Sequence, residues 1–523
     1  MGGLEEAGGR TSRRRRRSGG ERSGGARSGG ARQVNYRQLR NPFAPQRVFS
    51  DDHVAAIHDT SLRVLEDLGI KVLLPEARRL FRAAGARVDE DNEMVFIGRD
   101  IVVSAIESAP RTFMLHGAAP ERDLRMQLGT LAFQSGAGAP NVTDLVRGRR
   151  PGTLADATEL TKLVQHFDAI QMLSPGVEPQ DVDPALRHYA FTRAQLVHSD
   201  KIPFIFSRGT PQVLDCFEML RDFRGLSDAE FTGASHCYTI INTNSPRQID
   251  IPMAQGLIDF ARHSQPSIIT PFCLMGAMAP VTVAGALTLS HAEALAAIAL
   301  TQLVKPGAPV MYGAFASNVD MKSGAPAFGT PEQVKASLGS GQLARLIGLP
   351  WRNAAGCAAN VNDAQAAHET QMSAWGAVLA GATVVIHAAG WIEGGLAVSM
   401  EKFITDMEMV QGLAELCAET PSDDGAIAFE ALSEVQPGGH FFACAHTMER
   451  YSTAFYEPLV ADWSNFGTWS ERGALDASMR ATAIWQRIVD EHVPPPSVDA
   501  GRVEALDTFI ARRTAAGGAP PGE

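Results

Sequence analysis

Five aromatic residues, Phe272, Tyr312, Phe315, Trp351 and Trp391, fall at or near the ends of short apolar runs. An aromatic face attracts a cation, most usefully a quaternary ammonium, which has no N–H with which to hydrogen-bond. Core packing accounts for each ring taken singly, so the signal is their recurrence at equivalent places. Arg208 and Arg352 lie near the same run ends and could give a substrate carboxylate its counter-charge, although Arg352 could equally point outward from its strand. A second constellation is Cys237, Cys273 and Cys357 in three different runs, with His387 closing a fourth. Three Cys and one His could bind zinc. No C-x-x-C pair joins any of the cysteines, however, and Cys also serves as a small buried apolar residue, so no metal site is assigned. Disulfides are not expected either.

The elements that must position these residues are regular. Apolar runs at 131–133, 170–173, 203–206, 236–241, 267–274, 310–312, 351–355 and 383–387 recur at intervals of about 35 residues, the length of a strand, a loop, a helix and a return loop. A helix-start signal follows each: Thr153, Asp183-Pro184, Thr210-Pro211, Ser245-Pro246, Pro280-Val281, Thr330-Pro331 with Gln333, Asn362-Asp363, and Ser399-Met400-Glu401. The stretch from Pro309 to Met321 shows the unit well. An apolar run breaks at Gly313 into a small polar segment ending at Asn318 and Asp320, and Thr330-Pro331 then starts a helix. Eight such units in series predict an α/β fold, a (β/α)₈ TIM barrel over 129–425. A doubly wound open sheet would need a phosphate fingerprint after an early strand, and none is present. In such a barrel the site forms at the C-terminal strand ends. Those ends carry Gly136, Gly138, Asn141, Glu178, Arg208, Asn242, Phe272, Phe315, Asn318, Asp320, His387 and Trp391. They are rich in Gly and Asn, which lets backbone approach a ligand closely. Gly136-x-Gly138 alone is too short to read as a phosphate loop.

The flanks differ from the barrel. Residues 46–128 read as an α+β segment packed on it, and 426–515 as a helical cap, with helices expected at 448–463, 474–491 and 503–515. Residues 1–45 and 516–523 read as disordered tails. The first 33 residues carry nine Arg against Glu5, Glu6 and Glu21, with no apolar face. The chain as a whole is acidic, with net charge −11, which argues against a nucleic-acid partner. Residues 284–304 come closest to a membrane span, but His291, Glu293 and Gln302 interrupt them as in a buried barrel helix. A cytoplasmic protein is expected, and a homo-oligomer is compatible with the pattern.

Four motifs carry a resemblance to a known family. Gly136-x-Gly138-Ala139-Pro140-Asn141, Gly176-x-Glu178-Pro179-Gln180-Asp181, Asn318-Val319-Asp320-Met321-Lys322-Ser323-Gly324-Ala325-Pro326 and Gly438-Gly439-His440-Phe441 resemble those of the trimethylamine methyltransferase (MttB-like) family, from about residue 49 to 509. The resemblance implies a TIM barrel that moves a methyl group from a methylamine to the Co(I) of a separate corrinoid protein, with cobalamin carried by that partner and none held tightly here. Some members carry pyrrolysine in the barrel; this chain has standard residues only, as in the branch resembling glycine betaine:corrinoid methyltransferases. A quaternary amine is the substrate so implied. It would be held by Tyr312, Phe315, Trp391, Phe272 and His387, with Arg208 or backbone amides at a carboxylate and Glu178, Asn318 and Asp320 shaping the site. Gly136, Gly138, Asn141 and Asn242 would meet the corrinoid. No general base or nucleophile is assigned. Rival readings are a trimethylamine or other methylamine methyltransferase, a zinc-thiolate methyltransferase using Cys237, Cys273, Cys357 and His387, and a betaine-binding protein on the same barrel.

Overall fold

Strands buried on both faces read as unbroken apolar runs, and period-2 alternation then divides each run between two cores. The computed structural model, which describes residues 38–136 and 138–522, shows this division. Thr130–Phe133, Thr239–Ile241, Ser267–Ile269, Val310–Gly313, Trp351–Ala354 and Val384–Ile386 are strands. Five parallel ladders join them, with Thr239 opposite Ser267, Ser267 opposite Val310, Tyr312 opposite Trp351, Arg352 opposite Val384, and Val384 opposite Ala132. The runs expected at 170–173 and 203–206 make single parallel bridges instead of ladders: Gln134–Met172, Met172–Ile202 and Phe204–Tyr238. Each of the eight expected segments is therefore parallel to the next, and the last pairs with the first. Ala132, Met172, Ile268, Met311, Ala354, Val384 and Ile386 form one apolar column, which continues upward into Phe315, Phe328 and Trp391. Their strand neighbours Val310, Tyr312, Ile269, Trp351 and Val385 join the larger core under the helices. The fold is α/β.

Most helices start where side chains can cap them. Thr153 and Asp156 form a reciprocal capping box, and Thr330, Asp363 and Ser399 accept from backbone N–H groups in the next turn. Three expected starts are displaced, the least of them at Pro280-Val281, where Thr282 caps a helix that begins at Val283. The Ser245 hydroxyl donates to Glu293, and the helix that follows begins at Ile251 under an Asp250 cap. Asp183 accepts from the Ala185 amide in a turn, and its helix begins at Arg187. The Val283–Val304 helix is long and apolar enough to cross a membrane by composition, yet most of it is buried inside the protein. The three residues that interrupt its apolar run are each engaged: His291 with His58 and Tyr312, Glu293 with Thr243, and Gln302 with the Ala308 carbonyl.

The flanking segments lock onto this frame. The Asp51–Arg63 helix, capped by Ser50, continues as a wider π turn over Val64–Leu68. Strands Ile70–Val72, Met94–Phe96 and Arg87–Asp89 pair antiparallel, and Gln248–Ile249 from the barrel region extends that sheet. The tail expected at 1–45 lies outside the described residues as far as 37. Beyond it the expectation fails, because Leu39–Arg40 pairs with Thr130–Leu131 and Asn41 donates to the Gly129 carbonyl. At the other end the Ala477–Asp490 and Ala500–Ala515 helices form as expected, whereas 448–463 does not; within that span only the end of the short Ala445–Arg450 helix is helical. The tail expected at 516–523 is also revised: the Ala519 amide donates to Ala185, its carbonyl accepts from Gln212, and the Gly522 amide donates to Arg208. These backbone bonds hold 516–522 against the body.

Candidate functional site

Two short ladders stand just beyond the C-terminal strand ends and carry the aromatic residues into register. Phe272–Met275 runs parallel to Phe315–Val319, which sets Phe272 directly beside Phe315, with ring centroids 5.0 Å apart. Trp391–Ile392 pairs with Ala397–Ser399, and that strand pairs in turn with Asn141–Thr143. Phe315, His387 and Trp391 close around one another: His387 stacks on Trp391 at 4.5 Å and 12°, and Phe315 lies 5.5 Å from His387 and 5.8 Å from Trp391. Phe328 backs the group at 4.9 Å from Trp391. Across the space, Phe204 and Phe206 meet edge to face at 4.9 Å.

Two glycines permit this packing. A Cβ on Gly356 would lie 2.1 Å from the Trp391 ring, and one on Gly395 2.5 Å, and both residues have positive φ. His387 itself is held at φ +57, a conformation that a non-glycine residue seldom adopts and that recurs at functional sites. Burial and the nearby Arg352 keep its imidazole neutral by drawing its pKa well below the usual value.

The rings line a cavity of about 650 Å³ that opens to solvent. Arg208, Asn242, Phe272, Phe315, His387, Trp391 and Gly138 all border it, as the sequence pattern led one to expect. Six expected residues do not. Tyr312 is fully buried on the opposite face of its strand and bonds His291. Asn318 is tied to Thr330, and the exposed Asp320 caps the Lys322–Ser323 turn. Gly136 and Asn141 are scaffold, the first donating to Ala389 and the second to Leu396. Glu178 sits behind Arg208. It accepts both arms of that guanidinium, at 2.6 and 2.7 Å, and a further bond from Arg187 at 2.5 Å. Burial alone would raise the Glu178 pKa, but the two arginines hold it below the ordinary carboxylate value. Arg208 thus directs both arms at a carboxylate of the protein itself, which it shares with Arg187.

The pattern missed Phe204, Phe206 and the polar wall Thr243–Ser245, which hydrogen-bonds into buried Glu293. Phe204 and Phe206 were legible in principle, since period-2 spacing puts both on one face. Arg352 points inward to the cavity, because Trp351 beside it takes the helix-facing position. Among the described residues no Asp or Glu lines the cavity.

The cysteines do not converge. Cys237 packs with Phe217 and Phe231, Cys273 faces Ser245, and Cys357 donates to the Trp391 carbonyl. Burial pushes Cys273 up to about 12 and Cys357 up to about 11. Among the described residues no three His, Cys, Asp or Glu side chains gather as a metal-binding group.

Comparison with known proteins finds similarity over nearly the whole chain. The profile of the family described as Trimethylamine methyltransferase (MTTB) matches residues 13–518. A glycine betaine methyltransferase of Desulfitobacterium hafniense (strain Y51) is 34% identical over 472 residues, covering 89% of this chain and 97% of that one. A trimethylamine methyltransferase MttB of Desulfitobacterium hafniense (strain DSM 10664 / DCB-2) is 30% identical, over 86% of this chain and 90% of that one. Among solved structures, the Methanosarcina barkeri monomethylamine methyltransferase (MtmB) aligns over 89% of this chain and 96% of its own, with TM-score 0.46 and 10% identity. With a profile match from end to end and a relative one-third identical over most of both chains, the protein belongs to the trimethylamine methyltransferase (MTTB) family of methyltransferases.

Proposed function

We propose that this methyltransferase takes a methyl group from a quaternary amine of the glycine betaine kind and passes it to the Co(I) of a corrinoid on a separate protein. In this reading the eight parallel segments form a (β/α)₈ barrel, with the cavity at its C-terminal face. One observation carries the proposal. Aromatic rings from three separate segments (Phe272, Phe315, and His387 with Trp391) converge on an open cavity that, among the described residues, no carboxylate lines. Such a wall offers π faces to a permanent cation and no acid to protonate a leaving amine. A quaternary donor needs none, because losing a methyl leaves a neutral tertiary amine. The relative named glycine betaine methyltransferase supports the same substrate class.

The rim suits the partner's cofactor. Gly138, Gly394 and Gly395 carry no side chains there, which leaves the mouth open to a broad, flat ligand. When bound, the reduced corrinoid supplies a Co(I) nucleophile that takes the methyl as a cation. This chain's residues do the rest by position. The rings hold the ammonium, the polar wall from Asn242 to Ser245 fixes the orientation, and the enclosed walls exclude water.

Changing Trp391 or Phe315 to Ala should weaken binding of the quaternary donor by roughly 0.5–2 kcal/mol per lost face, up to about thirtyfold. Calorimetric titration of the folded variants measures this. Unchanged affinity in both variants would remove the cation–π account.

A further inference from the structure

Among the described residues, one cation on the cavity wall has no carboxylate partner. Arg208 spends both arms on Glu178, and Arg187 shares that carboxylate. Arg352 is only 1% exposed, its Nη1 donates to the Ala314 carbonyl at 3.1 Å, and its Nε finds no acceptor among the described residues. No Asp or Glu of the described residues pairs with it, although buried guanidinium groups are ordinarily paired. Burial acts on it unopposed and draws its pKa down to about 9. The neighbouring His387 cannot compensate: it is neutral, and its Nδ1 is also without a partner.

We propose that Arg352 anchors a substrate carboxylate, so that the methyl donor is a quaternary ammonium carboxylate with a short spacer and not a quaternary amine at large. This rests on the donor reading above and narrows it. Its guanidinium carbon lies 5.2 Å from the Phe315 ring centroid, so a carboxylate held there places an ammonium one or a few carbons away among Phe315, His387 and Trp391. Depth gives the orientation. Arg352 is buried, whereas Asn242 on the same cavity is exposed. A carboxylate bound at the buried end turns the N-methyl groups toward the open mouth, where an acceptor must approach. The same charge selects against wrong ligands, since a quaternary amine without a carboxylate meets an uncompensated cation.

The test titrates the full chain and its Arg352→Met and Arg352→Lys variants with three probes. Glycine betaine carries both charges, choline only the ammonium, and 3,3-dimethylbutyrate only the carboxylate on the same carbon framework. In Arg352→Met, glycine betaine and 3,3-dimethylbutyrate should each lose about a hundredfold in affinity, as when one partner of a buried charge pair is truncated. Choline binding should stay the same or tighten. Unchanged binding of the two carboxylates, or an equal loss for all three probes, would overturn the assignment. Should Arg352→Met not fold, Arg352→Lys keeps the charge without the fork. It should lose about tenfold for the carboxylates only, for want of the bidentate contact; no selective loss would overturn the assignment equally. The two claims separate cleanly. Failure of choline to bind even in Arg352→Met would refute the ammonium site, while 3,3-dimethylbutyrate reports on Arg352 alone.

Discussion

Asp406→Ala should destabilise the protein by about 3–5 kcal/mol, the cost of breaking a buried ion pair from one side. Lys402 and Asp406 lie one turn apart on the Met400–Leu416 helix, with side chains 0% and 5% exposed and Nζ 2.7 Å from Oδ1. Nζ also donates to Thr370, and the other Asp406 oxygen accepts the Gly390 amide at 2.9 Å. Burial raises the Asp406 pKa, and Lys402 opposes that rise. Removing the carboxylate therefore strands a buried ammonium and frees the backbone one residue before Trp391. The double variant Lys402→Met with Asp406→Leu should recover most of the stability, because an apolar pair of similar volume carries no desolvation cost. It should not recover substrate binding, since the Gly390 amide stays unpaired and the His387–Trp391 stack loses its tether. Denaturant midpoints and ligand titrations on the same three proteins check both halves. A single variant within about 1 kcal/mol of the parent would show that the pair contributes little.

Gly356→Ala should disable the site more completely than loss of any one ring. The added Cβ would lie 2.1 Å from the Trp391 ring and would occupy φ +148, where L residues are rarely found. Overpacking costs about 1–3 kcal/mol, and backbone strain of this kind adds a similar amount. Trp391 can yield only by swinging away from His387, with which it stacks. Affinity for a quaternary ammonium should fall by more than about thirtyfold, one lost face plus a disturbed wall. Gly412→Ala is the control. It lies within a helix with nothing inside 4 Å of the new Cβ, so it should be neutral or mildly stabilising. Equal behaviour of the two variants would show that Trp391 is not held by this close approach.

These residues also show what the chain could and could not disclose before its structure. The order of parallel segments was legible because each apolar run is short, recurs at one interval and is followed by a cap such as Thr153 or Ser399. Phe272, Phe315 and Trp391 were legible because they follow directly on run ends. Tyr312 was misplaced and Arg352 left open for a single reason. In a strand buried on both faces the alternation is masked, so the pattern does not say which neighbour faces the ligand. The pairing does say: Arg352 stands opposite Val384 of the interior column, while Tyr312 joins the helix-facing core. The pairing of Arg208 with Glu178 was not legible, because the two lie 30 residues apart and meet only in the folded chain. Gly356 and Gly395 read as loop residues until the indole ring between them is placed.

The most direct test of the account is methyl transfer itself. The protein is incubated with reduced cobalamin or a reduced corrinoid protein and, in turn, glycine betaine, choline, carnitine and trimethylamine, and cobalamin absorbance reports each transfer. An aromatic cavity with one unpaired cation at its buried end predicts glycine betaine as the best donor, choline as a weaker one and trimethylamine as poor. Trimethylamine emerging as the best donor would contradict it.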